Sequence, residues 1–200
     1  MAVKEKENHS MEEKRIKRQP VFDGKLIKVY QDTVLLPNGK EANREVVEHP
    51  GAVAVLAIDE QGQIIIVKQY RYPMAQISLE IPAGKLEENE DPLECAKREL
   101  TEETGYIANA WKKIMTPYTS PGFANEVIHI YLAQQLEQIG ASPDEDEFVE
   151  CIHITLEDAL HMIDTQEIRD AKTITALLWW STQNSHFQTE MNILAESMER

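Results

Sequence analysis

Apolar residues in this chain gather in short blocks, and the spacing within each block separates strands from helices. KLIKVYQDTVLLPNGKEANREVVEH holds two blocks that meet at Pro37-Asn38-Gly39, which predicts strands joined by a tight turn. AVAVLAIDEQGQIIIVKQYRY repeats the arrangement with its turn near Gln61-Gly62, and ISLEIPA adds another strand. EVIHIYLAQQ and FVECIHITL read as later strands in which His129 and His153 alternate with apolar neighbours. TLEDALHMID and DAKTITALLWWSTQ read as helices, the second carrying Trp179 and Trp180 into the core.

A further helix is marked by its ends. Asp91 can cap it, Pro92 suits its first turn, Glu94 completes a box-like arrangement, and Gly105 stops it. Strands and helices in this order indicate an α/β layered domain. Ahead of them, MAVKEKENHSMEEKRIKRQP is charged throughout and has no apolar centre, so residues 1–20 are expected to form a solvated arm rather than a secretory leader.

Composition narrows the function classes. Two hundred residues, 42% of them hydrophobic, suit one globular domain with a small appendage. A formal charge of -15 argues against nucleic acid as a partner, because phosphate binding rests on Lys and Arg replacing counterions. A metal or a basic partner fits better. The longest apolar run, Ala52 to Ile58, is seven residues against the roughly eighteen of a membrane helix, so no membrane partner is expected. Cys95 and Cys151 have no C-x-x-C spacing, which suggests a reducing, cytoplasmic setting and thiols that fill the core.

The chemistry centres on GKLEENEDPLECAKRELTEETGY, residues 84–106. On a helix, Glu99, Glu102 and Glu103 fall at i, i+3 and i+4 and share one face, while Leu93, Ala96 and Leu100 share the adjacent face that can anchor it. Three carboxylates so placed repel one another unless a cation sits among them. An all-oxygen set suits a hard cation, Mg²⁺ or its substitute Mn²⁺.

The full string runs Gly84, five residues, Glu90, seven residues, Arg98-Glu99-Leu100, one residue, Glu102-Glu103, one residue, Gly105-Tyr106. It resembles the Nudix box at every defined position. Sixteen residues after Gly105, Pro121 in the S-P-G of YTSPGFANE resembles the ADP-ribose pyrophosphatase branch of that family. The resemblance covers the chain from about Phe22 to the last helix.

It implies an α/β/α sandwich with a mixed sheet over residues 49–200, a small N-terminal β subdomain over 21–48, and subdomains exchanged across a homodimer. The implied reaction is Mg²⁺-dependent hydrolysis of ADP-ribose to AMP and ribose 5-phosphate. Carried over by position, Glu99 and Glu103 are metal ligands, with Glu102 close by and the carbonyl of Ala83 added, while Arg98 and Glu90 orient them. Arg44 and Arg71 resemble substrate-contacting arginines, Lys85 follows the metal-binding carbonyl, and Ser120, Pro121, Gly122 and Glu126 line the site. In the acidic loop SPDEDEFVE, the resemblance makes Glu147 a metal-approaching carboxylate and candidate base, with Glu145 its competitor. One departure is Leu26, where some relatives stack adenine on an aromatic ring. It keeps another nucleoside diphosphate sugar, such as GDP-mannose, in view as substrate. A non-hydrolytic ADP-ribose-binding module is the reading from a different class, and the intact carboxylates count against it.

Overall fold

The computed structural model describes residues 11–140 and 148–198, the stretch from 185 onward by its backbone alone. The chain forms two compact units, residues 11–51 with 118–127, and residues 52–117 with 128–198.

In the first unit β1 (Lys14–Asp23), β2 (Lys28–Leu35) and β3 (Glu41–Glu48) form an antiparallel sheet in that order. Gly39, at φ 79°, closes the expected turn between β2 and β3, where Asn38 Oδ1 accepts from Lys40 N at 3.0 Å. The solvated arm expected over residues 1–20 is contradicted from Lys14 onward, and its first ten residues lie outside the described ones. Residues 14–20 are strand because Arg18 has partners: its Nε and Nη2 donate to Asp32 of β2 at 2.9 and 2.8 Å, and its Nη1 donates to Glu48 of β3. Its guanidinium also lies 4.2 Å from the ring centroid of Tyr30. Nor does the unit end at residue 48. Val47 N donates to Phe123 O at 2.7 Å, Asn125 N to Val47 O at 3.1 Å, and His49 N to Asn125 Oδ1 at 2.8 Å, so the SPG segment belongs with β3.

The second unit contains β4 (Ala52–Ala57), β5 (Ile64–Arg71), β6 (Gln76–Glu80), β7 (Ala83–Lys85), α1 (Pro92–Thr104), β8 (Tyr106–Met115), β9 (Ile128–Gln138), β10 (Val149–Ile154), α2 (Leu156–Asp164) and α3 (Ala171–Met198). One sheet has the order β7-β4-β9-β8, with β4 and β9 parallel and its other pairs antiparallel. A second has the antiparallel order β10-β5-β6.

Alternate residues of β4 face different helices. Val53, Val55 and Ala57 pack with Cys95, Ala96 and Leu100 of α1, whereas Ala54 and Leu56, with Ile58 just past the strand, pack with Ala159 of α2 and with Ile168, Ala176 and Leu177. Burial on both faces explains an apolar run without alternation, and it is the layering expected of the α/β/α sandwich. His129 and His153 lie on β9 and β10 as read. Strand β8 was not legible: its alanines and paired lysines carry little periodicity, and pairing with β9 along its length defines it. Among the described residues no helix is long and apolar enough to cross a membrane.

Leu100 is fully buried between α1 and the sheet. Leu100→Ala should cost about 2–5 kcal/mol, read from denaturant unfolding, because the cavity lies where two rigid elements cannot collapse.

Candidate active site

Helix α1 begins as its sequence requires. Asp91 Oδ1 accepts from the backbone N of Leu93 and Glu94 at 2.9 and 3.3 Å, Pro92 occupies the first turn, and Gly105 ends the helix at φ 74°. Glu94 pairs with Lys97 at 2.7 Å. With Cys95, Ala96 and Leu100 against the sheet, the neighbouring face carries Glu99 and Glu103, only 7% and 5% exposed, and the half-buried Glu102.

The cation among these carboxylates is Arg98. Its Nε and Nη2 donate to the two oxygens of Glu90 at 3.1 and 3.2 Å, and its Nη1 donates to Glu99 Oε1 at 2.8 Å and Glu102 Oε2 at 2.9 Å. The Arg98 hydrogen bonds, working against burial, hold the Glu90 carboxyl down at about 2, and Glu90 in turn raises the guanidinium above its ordinary value.

Strand β7 lies against the same face. Ala83 N donates to Glu103 Oε2 at 3.0 Å. A Cβ at Gly84 would sit 1.8 Å from both Cδ and Oε1 of Glu99, so only glycine permits this approach. Cys95 Sγ donates to Lys85 O at 3.4 Å, and burial, followed by Glu90, pushes its thiol up to about 12. That thiol is a packing group. Burial also raises Cys151.

Arg71, at the end of β5, pairs with the buried Glu80, and its guanidinium also feels the charge of Glu103. Ala83, Lys85, Glu99, Glu102, Glu103 and Arg71 thus all belong to the second unit. Arg44, Ser120, Pro121, Gly122 and Glu126 belong to the first. There Arg44 donates to Glu13 at 2.8 and 2.5 Å, and Ser120 O accepts from the N–H groups of Phe123 and Ala124 at 3.1 and 2.8 Å. Glu126 accepts from Thr119 Oγ1 at 2.7 Å and lies 3.5 Å from His49 Nδ1. Glu145 and Glu147 lie outside the described residues. Sequence reading missed Glu80 and Lys172, although a lone carboxylate in the apolar block ISLEIPA was a signal that a buried cation must accompany it.

The donor set fits a hard divalent cation. It offers carboxylate oxygens one helical turn apart on a rigid element, beside the backbone of β7, in a protein of formal charge -15. Among the described residues no three His, Cys, Asp or Glu side chains converge as a ligand cluster, and Arg98 bonds both Glu99 and Glu102.

Gly84→Ala should leave the protein folded but weaken Mn²⁺ binding by about tenfold or more in a calorimetric titration, because the new methyl displaces the Glu99 carboxylate. Stability should also fall in acid. Glu80 and Glu90 are held at about 2, below the ordinary 4.5, so their contribution is complete above pH 4.5 and is lost as pH falls toward 2. Denaturant unfolding across that window checks the slope, and Glu90→Gln should flatten it.

A family model described as the NUDIX domain matches residues 48–177, and one described as the nucleoside diphosphate sugar hydrolase N-terminal domain matches residues 13–47. A Bacillus subtilis (strain 168) protein named ADP-ribose pyrophosphatase is 52% identical over 170 residues, covering 84% of this chain and 92% of that protein. A Bacillus methanolicus protein named methanol dehydrogenase activator is 47% identical over 176 residues, covering 87% and 95%. A crystal structure of an ADP compounds hydrolase superposes with a TM-score of 0.76 at 22% identity, covering 87% of this chain and 97% of that one, which supports the fold. The glycine that lets β7 meet the helix and the arginine that steadies its carboxylates are parts of a family signature, and the chain belongs to the Nudix family of hydrolases.

Proposed function

We propose that this protein hydrolyses the diphosphate bond of ADP-ribose to AMP and ribose 5-phosphate, with Mg²⁺ as its metal and Mn²⁺ able to replace it. The observation that carries the reading is the pair of buried carboxylates, Glu99 and Glu103, on a helix face closed by β7. Likeness to the Bacillus subtilis ADP-ribose pyrophosphatase over most of both chains supports the substrate.

Glu99, Glu103, Glu102 and the Ala83 carbonyl would hold the metal, which when bound supplies positive charge against the diphosphate. Arg98, anchored by Glu90, keeps Glu99 and Glu102 oriented through direct hydrogen bonds. Arg44, Arg71 and Lys85 contribute cationic contacts to the substrate, and Ser120, Pro121, Gly122 and Glu126 line its site. Glu147, with Glu145 as competitor, takes the proton from the attacking water.

Exposed apolar side chains on β1 and beyond it, Ile16, Val21, Phe22 and Leu26, support a homodimer built through the first unit. A second reading follows the Bacillus methanolicus relative: activation of a dehydrogenase, checked by adding this protein to a methanol dehydrogenase assay.

AMP release from a panel of nucleoside diphosphates, with and without Mg²⁺, tests the main reading. ADP-ribose left intact while GDP-mannose is cleaved would remove the substrate and keep the chemistry. Glu99→Gln and Glu103→Gln should each cut kcat by about 10² or more while the protein stays folded, with the metal-free melting temperature lowered in Glu99→Gln because the amide gives up the charge that pairs with Arg98. Glu147→Gln should lower kcat about 10²-fold with modest change in KM, and a loss of only a few-fold in both it and Glu145→Gln moves the base elsewhere. Sedimentation should give a dimer, and deletion of residues 1–45 should abolish both dimer and activity.

A further inference from the structure

Glu80 closes β6 with 3% of its surface exposed, between Leu79 and Ile81. A buried carboxylate needs cations, and two reach it from different elements. Arg71 donates Nε to Oε1 at 2.8 Å and Nη2 to Oε2 at 2.7 Å, and Lys172 in the first turn of α3 donates Nζ to Oε2. Lys172 is held in turn by Asp170, 3.1 Å away. Asp170 Oδ2 accepts from the N and Oγ1 of Thr173 at 2.9 and 2.6 Å, and Thr173 Oγ1 accepts from Ile81 N at 2.9 Å. The ring returns to the residue beside Glu80.

Exposure divides the ring into two kinds of member. Glu80 and Lys172 are enclosed, whereas the Arg71 side chain is 39% exposed. Its bond to Glu80 uses the edge formed by Nε and Nη2, so the edge containing Nη1 faces away from Glu80. Burial would push Glu80 up, but Arg71 and Lys172 outweigh it and hold the carboxyl at about 2, so it is charged at neutral pH.

We infer that Glu80 is a positioning residue: locked by Lys172 and the start of α3, it fixes the Arg71 guanidinium with its second edge presented to the anionic diphosphate of the substrate. A guanidinium ordered in advance loses less rotamer freedom on binding than a free one. The inference rests on the reading of Arg71 as a substrate contact.

A double-mutant cycle tests it, measuring kcat and KM with ADP-ribose, or with whichever panel compound the wild type cleaves. Glu80→Gln should raise KM about tenfold and change kcat by no more than a few-fold, and in an Arg71→Ala background it should add less than about twofold. Glu80→Gln leaves two cations facing an amide, so Glu80→Gln with Lys172→Met, which removes one charge of each sign, repeats the measurement in a balanced protein; the same rise in KM is expected. Multiplying effects of Glu80→Gln and Arg71→Ala, or wild-type KM in the balanced variant, would overturn the inference and leave Arg71 as a substrate contact. Wild-type kinetics in Arg71→Ala would remove the Arg71 reading itself, and this inference with it.

Discussion

The site depends on one guanidinium. Helix α1 brings three carboxylates onto one face of a strongly acidic protein, and Arg98, anchored on Glu90, answers two of them, Glu99 and Glu102, with hydrogen bonds. An ammonium could not divide itself this way, because bidentate capture of Glu90 together with two further contacts uses the planar fork of arginine. The side chain comes from the helix itself and is anchored by Glu90 in the turn before it, while Glu103 is held from β7 by the backbone N–H of Ala83.

Rigidity of the helix is the second requirement, and it comes from packing. Cys95, Ala96 and Leu100 seat α1 on one face of β4 while α2 and α3 cover the other, so the helix cannot shift without opening a core layer. The side chains that bury the helix and those that carry the chemistry are sequence neighbours, as Glu99 and Leu100 illustrate. Gly84 lets β7 close on the carboxylate face, and the missing side chain is itself part of the site.

The same device recurs elsewhere in the molecule. Arg18 ties β1 to β2 and β3 through Asp32 and Glu48, and Glu80 gathers Arg71 and Lys172 from β5 and α3. In each case one ion joins elements far apart in the chain, where apolar contact alone would leave a polar group buried.

Local information is what the sequence determined by itself. The caps of α1 at Asp91 and Gly105, the hairpin at Gly39, the apolar run of β4 and the shared face of Glu99, Glu102 and Glu103 all follow from neighbours within a few residues. Resemblance to the Nudix box also gave Arg98 and Glu90 an orienting role, while their bond to each other appears only in the fold. Tertiary structure alone decided which charges are satisfied across the chain. Arg18 reads as part of a solvated arm until Asp32 and Glu48 are beside it, and nothing near Arg71 in the chain shows that Glu80 pairs with it or that Lys172 shares that carboxylate. Strand β8 likewise exists through β9, and residues 118–127 through β3. The reason is physical: periodicity records the burial of a face, whereas an ion pair or a ladder bond records a partner, and the partner's position is fixed only when the chain has folded.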